Sequence, residues 1–162
     1  RTRFSRTTER RTTVARVLKA VLLAVALGAL AIVFVRYNQL VLPEGAVPIV
    51  WDSEVCTHCK MHIGDPRFAA QVQTEAGDVL NFDDPGCLFD YLDAHPQVVH
   101  ALYFRNHEAD GWLSAEEVGF LPVEDSPMGY GLRAVSSQAE GAHDIDWARA
   151  RVTQRPDHEG PP

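Results

Sequence analysis

Residues 67–105 read RFAAQVQTEAGDVLNFDDPGCLFDYLDAHPQVVHALYFR, and the order of elements along this stretch decides the fold class. Residues 67–74 (RFAAQVQT) and 78–82 (DVLNF) read as two strands joined by Glu75-Ala76-Gly77, a hairpin. Asp84-Pro85 marks a helix start, with Asp84 as N-cap and Pro85 at the first helical position. Leu88, Phe89, Tyr91 and Leu92 give that helix an apolar face as far as His95-Pro96. The apolar run 98–104 (VVHALYF) then reads as a buried strand. The order is strand, strand, helix, strand.

Working outward, Ser114 with Glu117 has the spacing of a capping box and predicts a short helix ahead of Phe120-Leu121. Residues 126–131 (SPMGYG) read as a loop, 132–136 as a further strand, and Asp144 as the cap of a last helix. The body is expected over 49–152 as an α+β domain with one modest core. A tether over 36–48 precedes it, and a polar, Pro-rich tail over 153–162, expected to be disordered, follows it.

The 162 residues carry a formal charge of −7, which hides two opposed segments. Residues 1–35 hold seven Lys or Arg against Glu9 alone, a charge of +6; residues 36–162 hold eight bases and twenty-one acids, a charge of −13. So acidic a body lacks the clustered cations that displace counterions from nucleic acid, and that class of partner is excluded. Ala20 to Val35 is sixteen residues without a polar side chain, and 17–35 suits a transmembrane anchor with Lys19 snorkelling to the interface. The cations precede the run, so the basic segment 1–16 is expected in the cytoplasm and the body outside. Arg36-Tyr37-Asn38 stands where a signal peptide needs small residues, which favours an uncleaved anchor in the inner, cytoplasmic membrane over a cleaved signal sequence. A periplasmic or extracellular body follows from either reading.

The sulfur inventory is three Cys and two Met, and Cys56, Cys59 and Met61 fall within six residues, CTHCKM. Thiolate and thioether together make a soft donor set that favours Cu(I). Zinc would require a second ligand pair, and the sequence has no second CxxC and no HxxxH apart from His58–His62, which interleaves with the same cysteines rather than forming a separate pair. Cys56 and Cys59 also have the spacing of a redox dithiol or of a structural disulfide, and both readings stay open at this point. Met128, between Pro127 and Gly129, is either a loop packing contact or a ligand. Cys87, on the apolar side of the predicted helix, is expected as a small buried residue; His58 and His62 are expected solvated or beside the site. Asp83-Asp84 is expected to cap and to be solvated rather than to form an acid–base pair.

Five stretches, in order, resemble the NosL family of accessory proteins for nitrous oxide reductase maturation: CTHCKMHI (56–63), RFAAQV (67–72) with Gly77, FDDPGCL (82–88), WLSA (112–115) and PMG (127–129). The resemblance implies two small ββαβ-like units in one exported domain, and a metallochaperone that binds Cu(I) and passes it between copper donor and recipient proteins. Carried over, the Cys and Met of the Cys-x-Met motif are Cys59 and Met61, and the Met of the downstream Met-Gly motif is Met128. Cys56 joins them as a fourth candidate ligand. The chain departs from the family in having Lys60 where a glycine is usual, and a membrane helix where lipoprotein anchors are usual. The expected function is thus non-enzymatic copper delivery to an exported copper enzyme, nitrous oxide reductase by resemblance. The alternative is a membrane-anchored thiol–disulfide oxidoreductase using Cys56 and Cys59.

Overall fold

A computed structural model describes residues 5–39 and 42–155, in two compact units divided after Val41. The tail from 156 onward and the first four residues lie outside the described residues. The first unit is one helix, α1 (Ser5–Gln39). Its stretch Arg16–Tyr37, 22 residues, is long and apolar enough to cross a membrane, a description that a signal sequence near the N-terminus also satisfies. Leu22, Leu30, Ile32 and Phe34 stand exposed within the unit, as on a helix that is apolar all round and suits lipid.

The second unit is α+β. A short 3₁₀ turn (Pro66–Phe68) precedes β1 (Ala70–Thr74), β2 (Val79–Phe82), α2 (Pro85–Ala94), β3 (Val99–Arg105) and β4 (Trp112–Ser114). These strands form an antiparallel sheet in the order β2-β1-β3-β4, so the expected strand, strand, helix, strand order is present. Gly77, at φ 92°, makes the β1–β2 turn. β5 (Val118–Pro122) and β6 (Leu132–Ser136) pair antiparallel as a second sheet, followed by α3 (Ile145–Thr153). Among the described residues no strand follows α3, so β5, β6 and α3 make a strand, strand, helix group in place of the expected second ββαβ unit.

Three local expectations change. β1 starts at Ala70 rather than 67, because Asp65 caps a 3₁₀ turn by accepting the Arg67 N–H at 3.0 Å, with Pro66 at its first position. The Ser114–Glu117 box holds, but as a turn: Glu117 Oε2 accepts from Ser114 N and Oγ at 3.1 and 3.0 Å. Glu117 N donates back to Ser114 O at 3.0 Å. Only three residues separate β4 from β5 in the other sheet, so no helix fits there. β3 is half-buried rather than buried throughout, with Phe104 its one fully enclosed side chain.

The central strand is β1, all five of whose residues are buried. One face meets α2; across the other lies the end of the segment 36–48. The Gln71 carboxamide pairs with the Val47 backbone in both directions, at 2.8 and 2.9 Å, and Gln73 Nε2 donates to Gly45 O at 2.8 Å. The Gln71 carboxamide, bonded at both ends, avoids the roughly 1–3 kcal/mol that a buried unpaired amide costs, whereas Gln73 is bonded through its Nε2 and its Oε1 is buried without a partner. Phe89, Phe104 and Phe120 meet with ring centroids 5.1–5.8 Å apart, tying α2 to β3 and β5 and so joining the two sheets. α2 also packs on β6 and α3, which makes it the pivot of the domain.

Candidate metal centre

The CTHCKM segment forms a closed loop rather than a helix. Asp52 N donates to Ile63 O and Ile63 N to Glu54 O, both at 3.0 Å; further in, Cys56 N donates to Met61 O at 2.8 Å and Lys60 N to Cys56 O at 3.1 Å. The turn closes because Lys60 adopts φ 63°, the left-handed conformation that glycine enters freely and other residues adopt at a cost. Thr57 N donates to Asn81 O at 2.8 Å, and Asn81 Nδ2 to Glu54 Oε2 at 2.7 Å, so the loop is pinned to β2.

β2 then runs straight into the second wall of the site. Residues 82–89 are all buried. Asp84 caps α2, accepting the Gly86 N–H at 2.8 Å, and this places Cys87 in the first helical turn. Asp83 is buried rather than solvated, accepting the Gly64 N–H at 3.2 Å. Burial pushes both carboxyls up, Asp84 to about 6.

The Sγ atoms of Cys56, Cys59 and Cys87 lie within 4.8 Å of one another. All three are free; Cys56 and Cys87 are fully buried and Cys59 is half-buried. Metal–thiolate bonds of about 2.3 Å put two sulfurs on one ion roughly 3.8 Å apart in tetrahedral geometry, so small side-chain rotations close this group on a single ion. The three thiols share protons unequally. Cys56 is lowered to about 5, first because the Cys87 thiol donates to it, with the Asp83, Cys59 and His58 backbone N–H groups adding to this against burial. Cys87 is pushed up in consequence by its bond to Cys56 and by burial, and burial raises Cys59. The centre is thus a thiolate held between two thiols, ready to exchange protons for a soft cation.

The two thioethers are placed differently. Met61 is 54% exposed, although its backbone N–H is directed at Cys59 Sγ. Met128 is half-buried against the core, in a loop bound to the start of α2. Its N–H donates to Asp84 Oδ2 at 3.4 Å, and the Ser126 side chain bonds the same carboxylate. Tyr130 OH donates to Asp90 Oδ2 at 2.5 Å, one helical turn further on. Gly129, at φ 68°, allows the chain to reverse between these anchors. His58 is half-buried with its backbone on Cys56, and His62 is exposed, bridging to Val55.

Cys87 is buried as its helix position implies, and its convergence with Cys56 and Cys59 goes beyond the sequence reading. The available signal was only its place in the first turn after Asp84-Pro85, a position fixed by the cap, while the partners that turn would meet are set by the fold. No protein-family model matches the chain, and no curated protein matches it. Among solved structures the chain is similar to the crystal structure of the copper chaperone NosL from Shewanella denitrificans. The TM-score is 0.49 at 19% identity, covering 69% of this chain and 89% of that chain.

Proposed function

We propose that the protein is a membrane-anchored, non-enzymatic Cu(I) metallochaperone. Its ligands are drawn from Cys59, Cys56, Met61 and Met128, joined by Cys87. The observation that carries this reading is the convergence of three free thiols within 4.8 Å. A group of sulfurs alone suits a soft monovalent ion, whereas structural zinc takes four closed ligands, commonly with imidazole. The +6 segment ahead of the apolar helix supports an N-terminus in the cytoplasm and an exported domain. There the domain meets a copper donor and a recipient, an exported copper enzyme; the ordered motifs favour nitrous oxide reductase. The domain's acidity suits electrostatic steering toward cationic partner surfaces.

Against the oxidoreductase alternative, Cys56 is fully buried and the CxxC stands in a loop closed on itself, not at a helix start. The test is anaerobic Cu(I) titration of the full chain in detergent, with X-ray absorption at the copper edge. One copper per chain with sulfur-only coordination is expected. A protein that ignores copper and exchanges disulfides with a dithiol substrate overturns the reading. A reporter fused after Pro162 checks the topology: it is active only if it functions in an exported compartment.

A further inference from the structure

Exposure falls steadily across the sulfur cluster. Met61 is 54% exposed, Cys59 is half-buried, and Cys56 and Cys87 are at 0%. Met61 is nevertheless fixed to the cluster by its backbone. Its carbonyl accepts the Cys56 N–H at 2.8 Å and its N–H is directed at Cys59 Sγ. A thioether on an unbranched chain with three rotatable bonds can swing between water and the neighbouring sulfur.

Building on the copper reading above, we infer that Met61 is the capture ligand, which takes Cu(I) from a donor and hands it inward to Cys59 without remaining bound. The Met61 Sδ–Cu bond forms as a bond to the donor's ligand breaks. The Cys59 sulfur then replaces the thioether on the metal and releases its proton to water. Copper stays Cu(I) throughout and no electron moves. With the Cys56, Cys59 and Cys87 sulfurs converging, the resting ion has three donors without Met61. A ligand present only during transfer lowers the barrier in both directions equally, so it sets rates and leaves the equilibrium constant alone.

The experiment uses the full chain in detergent without oxygen. Cu(I) is supplied as its bathocuproine disulfonate complex, loss of that complex's colour gives the loading rate, and excess chelator gives the extraction rate. For Met61→Leu, loading and extraction should both slow by about tenfold or more while the dissociation constant moves by less than about threefold. Met61→Ala should slow both as well, because it too lacks the thioether. A dissociation constant weakened about tenfold with faster extraction would make Met61 a resident ligand and overturn the inference. Unchanged rates, or an alanine variant faster than the parent as expected of a steric lid, would also overturn it. A parent chain that binds no Cu(I) defeats the metallochaperone reading itself, an outcome separate from all of these.

Discussion

Tyr130 lies across the α-carbon of Gly86 so closely that a Cβ built there would stand 1.9 Å from the ring's Cγ. Glycine is required at 86 for this approach, which brings the loop carrying Met128 down onto the helical turn carrying Cys87. The Asp90 carboxylate holds the far end of the ring through the Tyr130 hydroxyl. Burial and this bond to Asp90 push the phenol's proton affinity up, so the contact stays intact across the neutral range.

Gly86→Ala should therefore act on both stability and metal binding. The ring has to move, and overpacking of this kind costs about 1–3 kcal/mol. Urea unfolding followed by tryptophan fluorescence should show a lowered midpoint, and competition titration a weaker Cu(I) affinity. A variant with unchanged midpoint and affinity would separate the Tyr130 loop from the site.

Met128→Leu tests the thioether alone. The swap nearly conserves volume, which ordinarily costs below about 1.5 kcal/mol, so folding survives. Loss of a soft donor should weaken Cu(I) binding by about tenfold, some 1.4 kcal/mol. If the leucine variant binds like its parent, Met128 serves packing only.

Much of this arrangement was legible in the sequence where local chemistry dictates it. Asp84-Pro85 announced α2, the Gly77 turn announced the β1–β2 hairpin, and 132–136 announced β6, because capping, φ > 0 and strand patterning are local properties. Asp65-Pro66 carries the same signature as Asp84-Pro85 on a shorter scale, yet the apolar residues after it concealed the 3₁₀ turn. The Ser114–Glu117 box satisfies a turn as well as a helix, and the choice depended on β5 joining a different sheet. The site divides the same way. Cys56, Cys59 and Met61 are adjacent in sequence, whereas Cys87 reaches them through the packing of α2 against β1 and β2, which no spacing encodes. The Val47–Gln71 pairing, 24 residues apart, was hidden for the same reason.

Asp84 gives the metal-free protein a pH dependence of known sign. Burial raises its carboxyl to about 6, against roughly 4 in an unfolded chain, so the folded state binds the proton more tightly. Its contribution is fully present below about pH 4 and is lost as pH rises through about 6, on the order of 2 kcal/mol. Asp84→Asn keeps a capping acceptor and removes the titration. Unfolding measured at intervals from pH 4 to 7 should show the parent losing stability relative to the asparagine variant across that window. Parallel curves would mean that the hydrogen bonds from Gly86, Met128 and Ser126 outweigh burial.

Cys87 has two roles that a pair of substitutions separates. Its thiol donates to Cys56, the leading cause of the lowered Cys56 value, and its sulfur stands within 4.8 Å of both other cysteines. Cys87→Ser keeps a donor of similar size and removes the soft sulfur; Cys87→Ala removes both. Neither should unfold the domain. The serine hydroxyl retains Cys56 as its acceptor, and the alanine leaves a cavity of one atom, costing about 1 kcal/mol. If Cys87 only holds Cys56 as thiolate, serine preserves Cu(I) affinity and alanine weakens it. A ligand role requires both variants to weaken binding by about tenfold or more, and the sulfur count at the copper edge to fall by one. The ligand result is expected, because a thiol this close to two others in a buried pocket meets the incoming ion at bonding distance. Serine that binds like the parent would restrict the resting site to Cys56, Cys59 and the Met128 thioether, with Cys87 a hydrogen-bond donor behind them.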